Sequence, residues 1–260
     1  MNDKDRSKEE FEKLLNIIDK LLTTCPWDMK QTNESLRKLT IEETYELAEA
    51  VFLKNDDAIR NELGDLMLHI VFYAKIGSEN GKFTMTDVLK GINEKLIYRH
   101  PHVFGDVKVS GASEVEENWE QLKIKEHNGY KSVLSGVPTS LPATIKANRI
   151  QEKVRGVGFD WEKREQIWDK VAEEIGELED EINDQDAEKM ESEFGDVFFS
   201  IINACRLYGV DPEAALEKTN RKFIRRFNYL ENQTIRKGKS LHDMSLEEMN
   251  VIWEEAKKEE

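Results

Sequence analysis

One acidic pattern occurs twice in this chain, and the two copies stand 131 positions apart. Glu42-Glu43-x-x-Glu46 is repeated as Glu173-Glu174-x-x-Glu177, and Glu62-Leu63-Gly64-Asp65 is repeated as Glu193-Phe194-Gly195-Asp196. Apolar residues repeat in the same register, with Ile59, Leu63, Leu66, Met67, Ile70 and Ala74 corresponding to Met190, Phe194, Val197, Phe198, Ile201 and Cys205. Self-similarity at a fixed offset is typical of duplicated structural units. The sequence therefore predicts two copies of one unit.

The apolar residues follow a helical period from the start of the chain. Near the N-terminus they recur at i, i+3, i+4 and i+7, as in Phe11, Leu14, Leu15, Ile18, Leu21 and Leu22. Five prolines and fourteen glycines are few for 260 residues, which favours long helices. Thr40 with Glu43 and Ser113 with Glu116 have the spacing of a capping box, and each pair predicts a helix start. We expect an all-α fold in which the repeated apolar stripe faces the core.

A stretch rich in glycine, proline and hydroxyl residues separates the two copies. It contains Gly129, Gly136, Pro138 and Pro142, and such clusters mark loops. We predict an N-terminal helical domain over 1–127, a linker over 128–142 and a C-terminal helical domain over 143–260.

The repeated carboxylates are candidates for a metal site in each copy. Residues three apart share a helix face, and a short connection favours antiparallel neighbours, so Glu43, Glu46, Glu62 and Asp65 can converge. Confined carboxylates raise one another's pKa unless a cation neutralises them. An all-oxygen ligand set suits Mg²⁺ first and Mn²⁺ second.

The plain alternative is a solvated acidic helix face, and two observations weigh against it. Neighbouring charges differ between the copies, as Arg60 against Glu191 shows, whereas the four carboxylates are kept. Gly64 and Gly195 are also kept, although glycine inside a helix costs about 1 kcal/mol relative to alanine. We expect these glycines to permit a close approach of another backbone.

Basic and aromatic residues downstream complete the candidate site. Lys222 and Arg226 lie four apart on one helix face, which suits the neutralisation of phosphate charge. Trp253 can stack on a base and Lys257 can contact a phosphate. The alternative for Lys222 and Arg226 is an ordinary basic patch, and the alternative for Trp253 is a tryptophan of the core. The residues that correspond to Lys222 and Arg226 in the first copy are Lys95 and Arg99.

Charge and composition narrow the class of protein. The formal net charge of −15 disfavours general binding of nucleic acid. Cys25 and Cys205 are far apart and fit a reducing compartment. No run of roughly 18 apolar residues occurs, and no Walker-type glycine loop or HExxH motif is present. We expect a cytoplasmic protein that binds neither nucleic acid nor membrane.

Taken together, these motifs resemble the MazG family of nucleoside triphosphate pyrophosphohydrolases. The resemblance rests on the duplicated acidic pattern, on Cys25-Pro26-Trp27-Asp28, on the segment from Arg99 to Phe104 and on Gly158-Phe159-Asp160-Trp161. It covers nearly the whole chain. It implies two tandem helical units of the four-helix-bundle type, the all-α NTP pyrophosphatase fold, and a homodimer.

The resemblance also implies a reaction and a set of roles. The reaction is the hydrolysis of ribo- and deoxynucleoside triphosphates to the monophosphate and pyrophosphate, as nucleotide-pool housekeeping. The implied Mg²⁺ ligands are Glu174, Glu177, Glu193 and Asp196. The implied nucleotide contacts come from Lys170, Glu174, Lys189, Lys222, Arg226 and Trp253. In the mechanism that we infer, the metal or a carboxylate such as Glu173 or Glu174 activates a water, while Lys222 and Arg226 hold the outer phosphates. Glu43, Glu46, Glu62, Asp65, Lys95 and Arg99 make the first copy a second candidate site.

Two other classes of protein fit the same residues. One is a non-catalytic nucleotide-sensing or partner-binding protein, which would show no turnover under excess Mg²⁺. The other is a structural acidic bundle, whose melting temperature would not respond to metal.

Overall fold

The computed structural model of this chain describes residues 2–111, 114–115, 118–119, 122, 132–236 and 238–259. In these ranges the regular elements are helices and no strand occurs, which confirms the predicted all-α class. No helix in the same ranges is long and apolar enough to cross a membrane. The chain divides into two compact units, Met1–Val109 and Ser110–Glu260, hereafter unit 1 and unit 2.

The described part of unit 1 contains α1 (Asp3–Thr24), α2 (Asn33–Phe52), α3 (Asp56–Glu79), α4 (Met85–Arg99) and the short α5 (Pro101–Phe104). Helix α1 ends just before Cys25-Pro26, because a proline disfavours the helical conformation of the residue before it. Helices α1, α2 and α3 enclose the apolar core of this unit. Its buried members are Ile18, Leu36, Val71, Phe72 and Ile76.

The described part of unit 2 contains α6 (Ala143–Arg155), α7 (Ile167–Asp184), α8 (Ala187–Leu207), α9 (Pro212–Arg236) and α10 (Leu246–Lys258). Ile167, Val171 and Ala204 form a buried cluster between α7 and α8. Helix α9 packs against α10, where Ile252 is buried. Ile167 is fully buried, as is its counterpart Leu36 in the 131-residue register, so the duplication extends to the core.

Two helical hairpins, α2–α3 and α7–α8, carry the repeated acidic pattern. Asn55 and Asp186 correspond to each other, and each caps the second helix of its hairpin by accepting a backbone N–H three residues on. The residues before them, Lys54 and Gln185, have φ angles of 53° and 58°. That left-handed region is uncommon for residues other than glycine. Both hairpins therefore turn through the same tight connection, which makes their helices antiparallel neighbours.

Helix α2 begins earlier than the sequence predicts. It starts at Asn33, where Thr32 and Ser35 form a reciprocal capping box with N–H to hydroxyl distances of 3.2 and 2.9 Å. Thr40 lies inside the helix and donates to the carbonyl oxygen of Leu36 at 2.9 Å. The predicted start at Thr40 is wrong because the apolar period continues back through Leu36, which is buried.

Part of the repeated apolar stripe lies on the surface of each unit. Ala74 is buried and Ile59 and Leu66 are half-buried. The exposed members of the stripe are Leu63, Met67 and Ile70 on α3 and Phe194, Phe198 and Ile201 on α8. The prediction that the whole stripe faces inward is wrong for these six side chains within a single chain, because the stripe is wider than the contact with the neighbouring helices.

Gly64 and Gly195 also lie on the exposed sides of α3 and α8. A Cβ atom added at either position would meet no atom within 4 Å. The expected close approach of another backbone is therefore wrong within a single chain.

The predicted linker falls mostly where the fold has no regular helix. Residues 132–142 contain turns, and residues 123–131 lie outside the described part of the chain. The two compact units divide between Val109 and Ser110, whereas the sequence places the end of the first domain at residue 127. The predicted helix start at Ser113 also lies outside the described residues. The boundary at 128–142 stays a prediction.

Candidate metal centres

Three carboxylates of unit 2 converge between α7 and α8. Glu174 and Glu177 belong to α7 and Glu193 to α8, and one oxygen of each lies within 4.8 Å of the other two. Glu174 is only 7% exposed, Glu193 is half-buried and Glu177 is exposed. Asp196, the fourth predicted ligand, is exposed and lies outside this group. The antiparallel hairpin thus brings together three of the four predicted ligands.

Unit 1 has a matching cluster between α2 and α3. Its members are Glu43, Glu62 and Asp65, again with oxygens within 4.8 Å of one another. Burial raises the pKa of Glu43, and the negative charges of Asp65, Glu46 and Glu62 raise it further. Glu46 lies outside the 4.8 Å group but close enough to act on that pKa. The two clusters differ in their third member. Unit 2 uses Glu177, whose counterpart Glu46 lies outside the group of unit 1. Unit 1 uses Asp65, whose counterpart Asp196 lies outside the group of unit 2.

A lysine ammonium lies against the cluster of unit 2. The Nζ atom of Lys170 is 2.9 Å from Oε1 of Glu174 and 3.0 Å from Oε1 of Glu173. Hydrogen bonds to these two carboxylates hold the pKa of Lys170 well above its usual range. The pKa of Glu177 is raised, mainly because its side chain shares a hydrogen bond with Glu174 and then because of burial. Glu177 therefore holds a proton more readily than an isolated glutamate does.

Three side chains beside the cluster of unit 2 have apolar counterparts in unit 1. Lys170 is one of them, and Glu181 and Lys189 are the others. The carboxylate of Glu181 lies 3.4 Å from Nζ of Lys189. Glu181 follows Glu177 by one turn of α7, and Lys189 precedes Glu193 by one turn of α8. The counterparts in unit 1 are Leu39, Ala50 and Ala58. Two lysines therefore stand near the acidic cluster of unit 2 at positions that are apolar in unit 1.

Helices α9 and α10 bring together two of the residues predicted to bind the nucleotide. The guanidinium carbon of Arg226 lies 6.0 Å from the centre of the Trp253 ring, at the limit of a cation–π contact. Phe223 packs against the same tryptophan, with ring centres 5.1 Å apart. Lys222 is exposed one turn before Arg226. Lys257 pairs with Glu254 at 2.5 Å.

The corresponding basic residues of unit 1 lie on α4. Lys95 is exposed and Arg99 is half-buried. Lys123, the counterpart of Lys257, lies outside the described residues. Unit 1 therefore presents the same pair of cations four residues apart as unit 2.

Sequence reasoning missed an ion pair that ties the segment before α7 to the end of α8. The two Nη atoms of Arg206 donate to the two carboxylate oxygens of Asp160 at 3.0 and 2.5 Å. The Arg206 side chain is 9% exposed and that of Asp160 22%. Burial raises the pKa of Asp160, but hydrogen bonds from Arg206 and from the Trp161 N–H outweigh it and hold this pKa below the ordinary value. The signal in the sequence is the basic residue kept in both copies, since the counterpart of Arg206 is Lys75. In the structure Lys75 also pairs with a carboxylate, that of Asp19 on α1.

Comparison with known proteins finds the same domain in both halves of the chain. The MazG nucleotide pyrophosphohydrolase domain matches residues 31–104 and again residues 162–230. The two matches include both carboxylate clusters and the basic pairs of α4 and α9. The duplication inferred from the spacing is thus a duplication of a known domain.

Curated relatives are similar to nearly the whole chain. A Thermotoga maritima protein named nucleoside triphosphate pyrophosphohydrolase/pyrophosphatase MazG is 45% identical over 250 residues, which cover 95% of this chain and 95% of the relative. The Escherichia coli K12 nucleoside triphosphate pyrophosphohydrolase is 40% identical over 260 residues, which cover 95% of this chain and 99% of the relative. A Bacillus subtilis protein named Uncharacterized protein YabN is 46% identical over 255 residues, 96% of this chain but 52% of the relative.

The geometry and the comparisons agree on one assignment. Each domain match contains a helical hairpin with three converging carboxylates, and corresponding residues of the two hairpins lie 131 positions apart in the sequence. The identity to full-length relatives extends almost from end to end. This chain belongs to the MazG family of nucleotide pyrophosphohydrolases.

Proposed function

We propose that this chain hydrolyses ribo- and deoxynucleoside triphosphates to the monophosphate and pyrophosphate, with Mg²⁺ as its cofactor. The observation that carries the proposal is the convergence of Glu174, Glu177 and Glu193 inside a MazG domain match. Two relatives with 45% and 40% identity are named as nucleoside triphosphate pyrophosphohydrolases. The family supports the reaction class, and the carboxylates support the cofactor.

The donor set fits a small divalent cation. Each Mg–O bond is about 2.1 Å long, so oxygens on opposite sides of one ion are about 4.2 Å apart. The oxygens of each cluster lie within 4.8 Å of one another, so small side-chain rotations suffice. Asp196 is exposed and is proposed as a further ligand of unit 2, with Mn²⁺ as the second choice of metal. When bound, the cation neutralises the carboxylates and offsets the charge that develops on the leaving pyrophosphate.

Glu173 and Glu174 are the candidates for taking the proton of the attacking water. Attack at the α-phosphorus breaks its bond to the oxygen that bridges to the β-phosphorus, so the water oxygen stays in the monophosphate. Glu174 belongs to the converging group, whereas Glu173 is 56% exposed. We therefore assign the proton to Glu173, which can pass it on to solvent.

Cations and an aromatic ring on α9 and α10 are proposed to hold the nucleotide. The contact with Trp253 restrains the Arg226 guanidinium before substrate arrives, and the exposed Lys222 lies one turn away. Both suit the outer phosphates, while Trp253 suits the base. Lys189 pairs with Glu181 at 3.4 Å and with Asp186 at 3.8 Å, and Lys257 pairs with Glu254. They are proposed to contact the phosphates once a triphosphate offers a stronger partner.

Unit 1 is proposed as a second site of the same kind. Glu43, Glu62 and Asp65 form its cluster, with Glu46 nearby. Lys95 and Arg99 are its candidates for phosphate contacts. The domain match over residues 31–104 includes all of these residues, which supports a functional rather than a purely structural first copy.

A homodimer is the proposed assembly. Leu63, Met67, Phe194 and Phe198 are exposed on equivalent faces of α3 and α8. Fully burying a side chain of this size stabilises a protein by about 1.5–3 kcal/mol relative to leaving it exposed, and apolar patches of this kind mark interaction sites. A second copy of the chain would cover these faces.

The proposed location is the cytoplasm. Cys25 and Cys205 are both free thiols, and a reducing compartment keeps them so. The net charge of −15 argues against a nucleic-acid partner.

Product analysis tests the proposal. The protein is incubated with mixed ribo- and deoxynucleoside triphosphates, with and without Mg²⁺, and the products are separated. We expect monophosphate and pyrophosphate only with Mg²⁺, and a loss of about 10²–10³-fold in rate for Glu174→Gln. Glu12→Gln, which neutralises an exposed carboxylate of α1, should keep the wild-type rate. Diphosphate and orthophosphate as products would put the cut at a different bond. No turnover, together with a nucleotide-dependent rise in melting temperature, would support nucleotide sensing instead.

A further inference from the structure

The ammonium of Lys170 lies where a positive charge is needed in unit 2. It contacts Glu174, a member of the cluster, at 2.9 Å and the adjacent Glu173 at 3.0 Å. Glu174 has a buried side chain, whereas that of Lys170 is 36% exposed. The lysine therefore neutralises part of the cluster from its solvent side, and it can move away without disturbing the core.

Unit 1 shows that this lysine is not needed to build the hairpin. Its counterpart Leu39 packs against the apolar core of unit 1. The same antiparallel hairpin nevertheless forms, with the same turn and a cluster of Glu43, Glu62 and Asp65. The chain thus contains two versions of one carboxylate cluster, one with an ammonium against it and one with leucine at that position.

We propose that Lys170 is a positioning residue that serves as the internal counter-ion of unit 2 until metal and triphosphate bind together. The ammonium and a divalent cation compete for Glu174 and repel each other, so metal alone binds weakly to unit 2. A triphosphate gives the ammonium a new partner and frees Glu174 for the metal. The inference rests on the proposed function for the identity of the nucleotide.

This arrangement couples the two ligands of the site. Because nucleotide binding removes the competing ammonium, it strengthens metal binding, and by thermodynamic linkage metal strengthens nucleotide binding by the same factor. Unit 1 lacks the competing ammonium at this position and is expected to bind metal without nucleotide. Unit 1 is therefore expected to bind the cation before the nucleotide, and unit 2 together with it.

The affinity for Mn²⁺ without nucleotide tests the inference most simply. Free Mn²⁺ is measured by electron paramagnetic resonance in a background with Glu62→Gln and Asp65→Asn, so that unit 1 does not bind. In that background Lys170→Met is expected to lower the dissociation constant of unit 2 about tenfold. Tenfold corresponds to about 1.4 kcal/mol, and a partly buried ion pair such as Lys170–Glu174 contributes more than a fully exposed one.

Three further variants sharpen this test. Lys170→Arg keeps the charge and should keep the weak binding of the parent. Lys239→Met removes a lysine of unit 2 that pairs with Glu248 at 3.1 Å, outside the cluster, and should change nothing. Lys170→Gln replaces the methionine variant if circular dichroism shows that the latter is unfolded. Unchanged or weaker Mn²⁺ binding in Lys170→Met would mean that Lys170 only stabilises helix α7, and would overturn the proposal.

A second titration tests the coupling. It uses an α,β-methylene triphosphate analogue, which cannot be cut at the scissile bond. The analogue should tighten Mn²⁺ binding in the parent and do so much less in Lys170→Met, whereas equal tightening in both would refute the coupling. The titration without nucleotide does not depend on hydrolysis. A protein without turnover that still shows the tenfold change would refute the proposed function and leave this inference standing.

Discussion

Neutralising Glu43 is expected to have opposite effects on stability with and without a divalent cation. Its carboxylate lies within 4.8 Å of those of Glu62 and Asp65. Two unit charges 4 Å apart repel by about 1 kcal/mol in water, and by more at lower dielectric. Glu43→Gln removes two such pairs, so the metal-free variant should be more stable than wild type by about 1–2 kcal/mol at neutral pH.

The pH dependence of this difference follows from the raised pKa of Glu43. A carboxyl group whose pKa is higher in the folded than in the unfolded state favours folding when it is protonated. Below the ordinary value of 4.5 the repulsion is absent, and it grows as the pH rises through the folded pKa. The advantage of the glutamine variant should therefore be present at pH 7 and disappear near pH 4.

Metal reverses the order of stability. At a concentration 100 times the dissociation constant, a ligand stabilises the folded state by about 2.7 kcal/mol, and the variant loses this gain in unit 1. For a protein of this size 1 kcal/mol shifts the melting temperature by roughly 2–4 °C. Glu43→Gln should melt about 4 °C above wild type in EDTA and about 4 °C below it in Mg²⁺.

Differential scanning calorimetry with and without Mg²⁺ measures both values. Glu12→Gln serves as the control, since it removes an exposed carboxylate of α1 outside the cluster, and its metal-induced shift should equal that of wild type. A glutamine variant that melts lower in both conditions, or one that keeps the full metal-induced shift, would refute a metal site at Glu43.

Three further predictions concern the fold and the assembly. Arg206→Met removes the bidentate partner of the largely buried Asp160, which keeps a 3.9 Å contact with Arg155 and the Trp161 N–H, and should destabilise unit 2 by about 2–4 kcal/mol in urea denaturation. Because the folded pKa of Asp160 is depressed, that loss should shrink as the pH falls below about 3.8, and a pH-independent loss would refute the assignment. Ile167→Ala opens a cavity at a fully buried position and should cost about 2–5 kcal/mol, so a change below 1 kcal/mol would contradict the core assignment. Phe198→Asp should convert a dimer of two 30.3 kDa chains into a monomer by light scattering, whereas Phe159→Asp should not. A wild-type mass for Phe198→Asp would exclude α8 from the interface.

The hairpins could be predicted because their signals are local and repeated. Asn55 and Asp186 are good helix caps, and each stands at a polar break in the apolar period. The residues that close each turn follow the same 131-residue register. Spacing also predicted that carboxylates from two antiparallel helices would meet, since residues three apart share a helix face.

The membership of each cluster could not be predicted from spacing alone. Positions three apart on a helix differ by about 60° in direction, since each residue turns the helix by about 100°. A divergence of this size allows both members of such a pair to converge, as Glu174 and Glu177 do, or only one, as with Glu43 and Glu46. Which carboxylate converges depends on how the two helices are rotated against each other, and packing decides that.

The sequence also does not show which apolar side chains are exposed or which charged side chains form ion pairs. The period of α3 shows that Leu63 and Met67 belong to an apolar stripe, but not which neighbour covers them. Lys170 and Glu174 have a visible i, i+4 spacing, yet 35% of the chain is charged and such pairs arise often. Only comparison with Leu39 in the same register distinguishes this lysine from an ordinary surface residue.

Hydrolysis in ¹⁸O-labelled water with Mg²⁺ tests the central claim most directly. Attack of water at the α-phosphorus predicts that mass spectrometry finds the label in the nucleoside monophosphate and that the pyrophosphate released with it is unlabelled. Label in the pyrophosphate, or formation of diphosphate and labelled orthophosphate, would contradict the claim that this chain cuts the bond between the α- and β-phosphates.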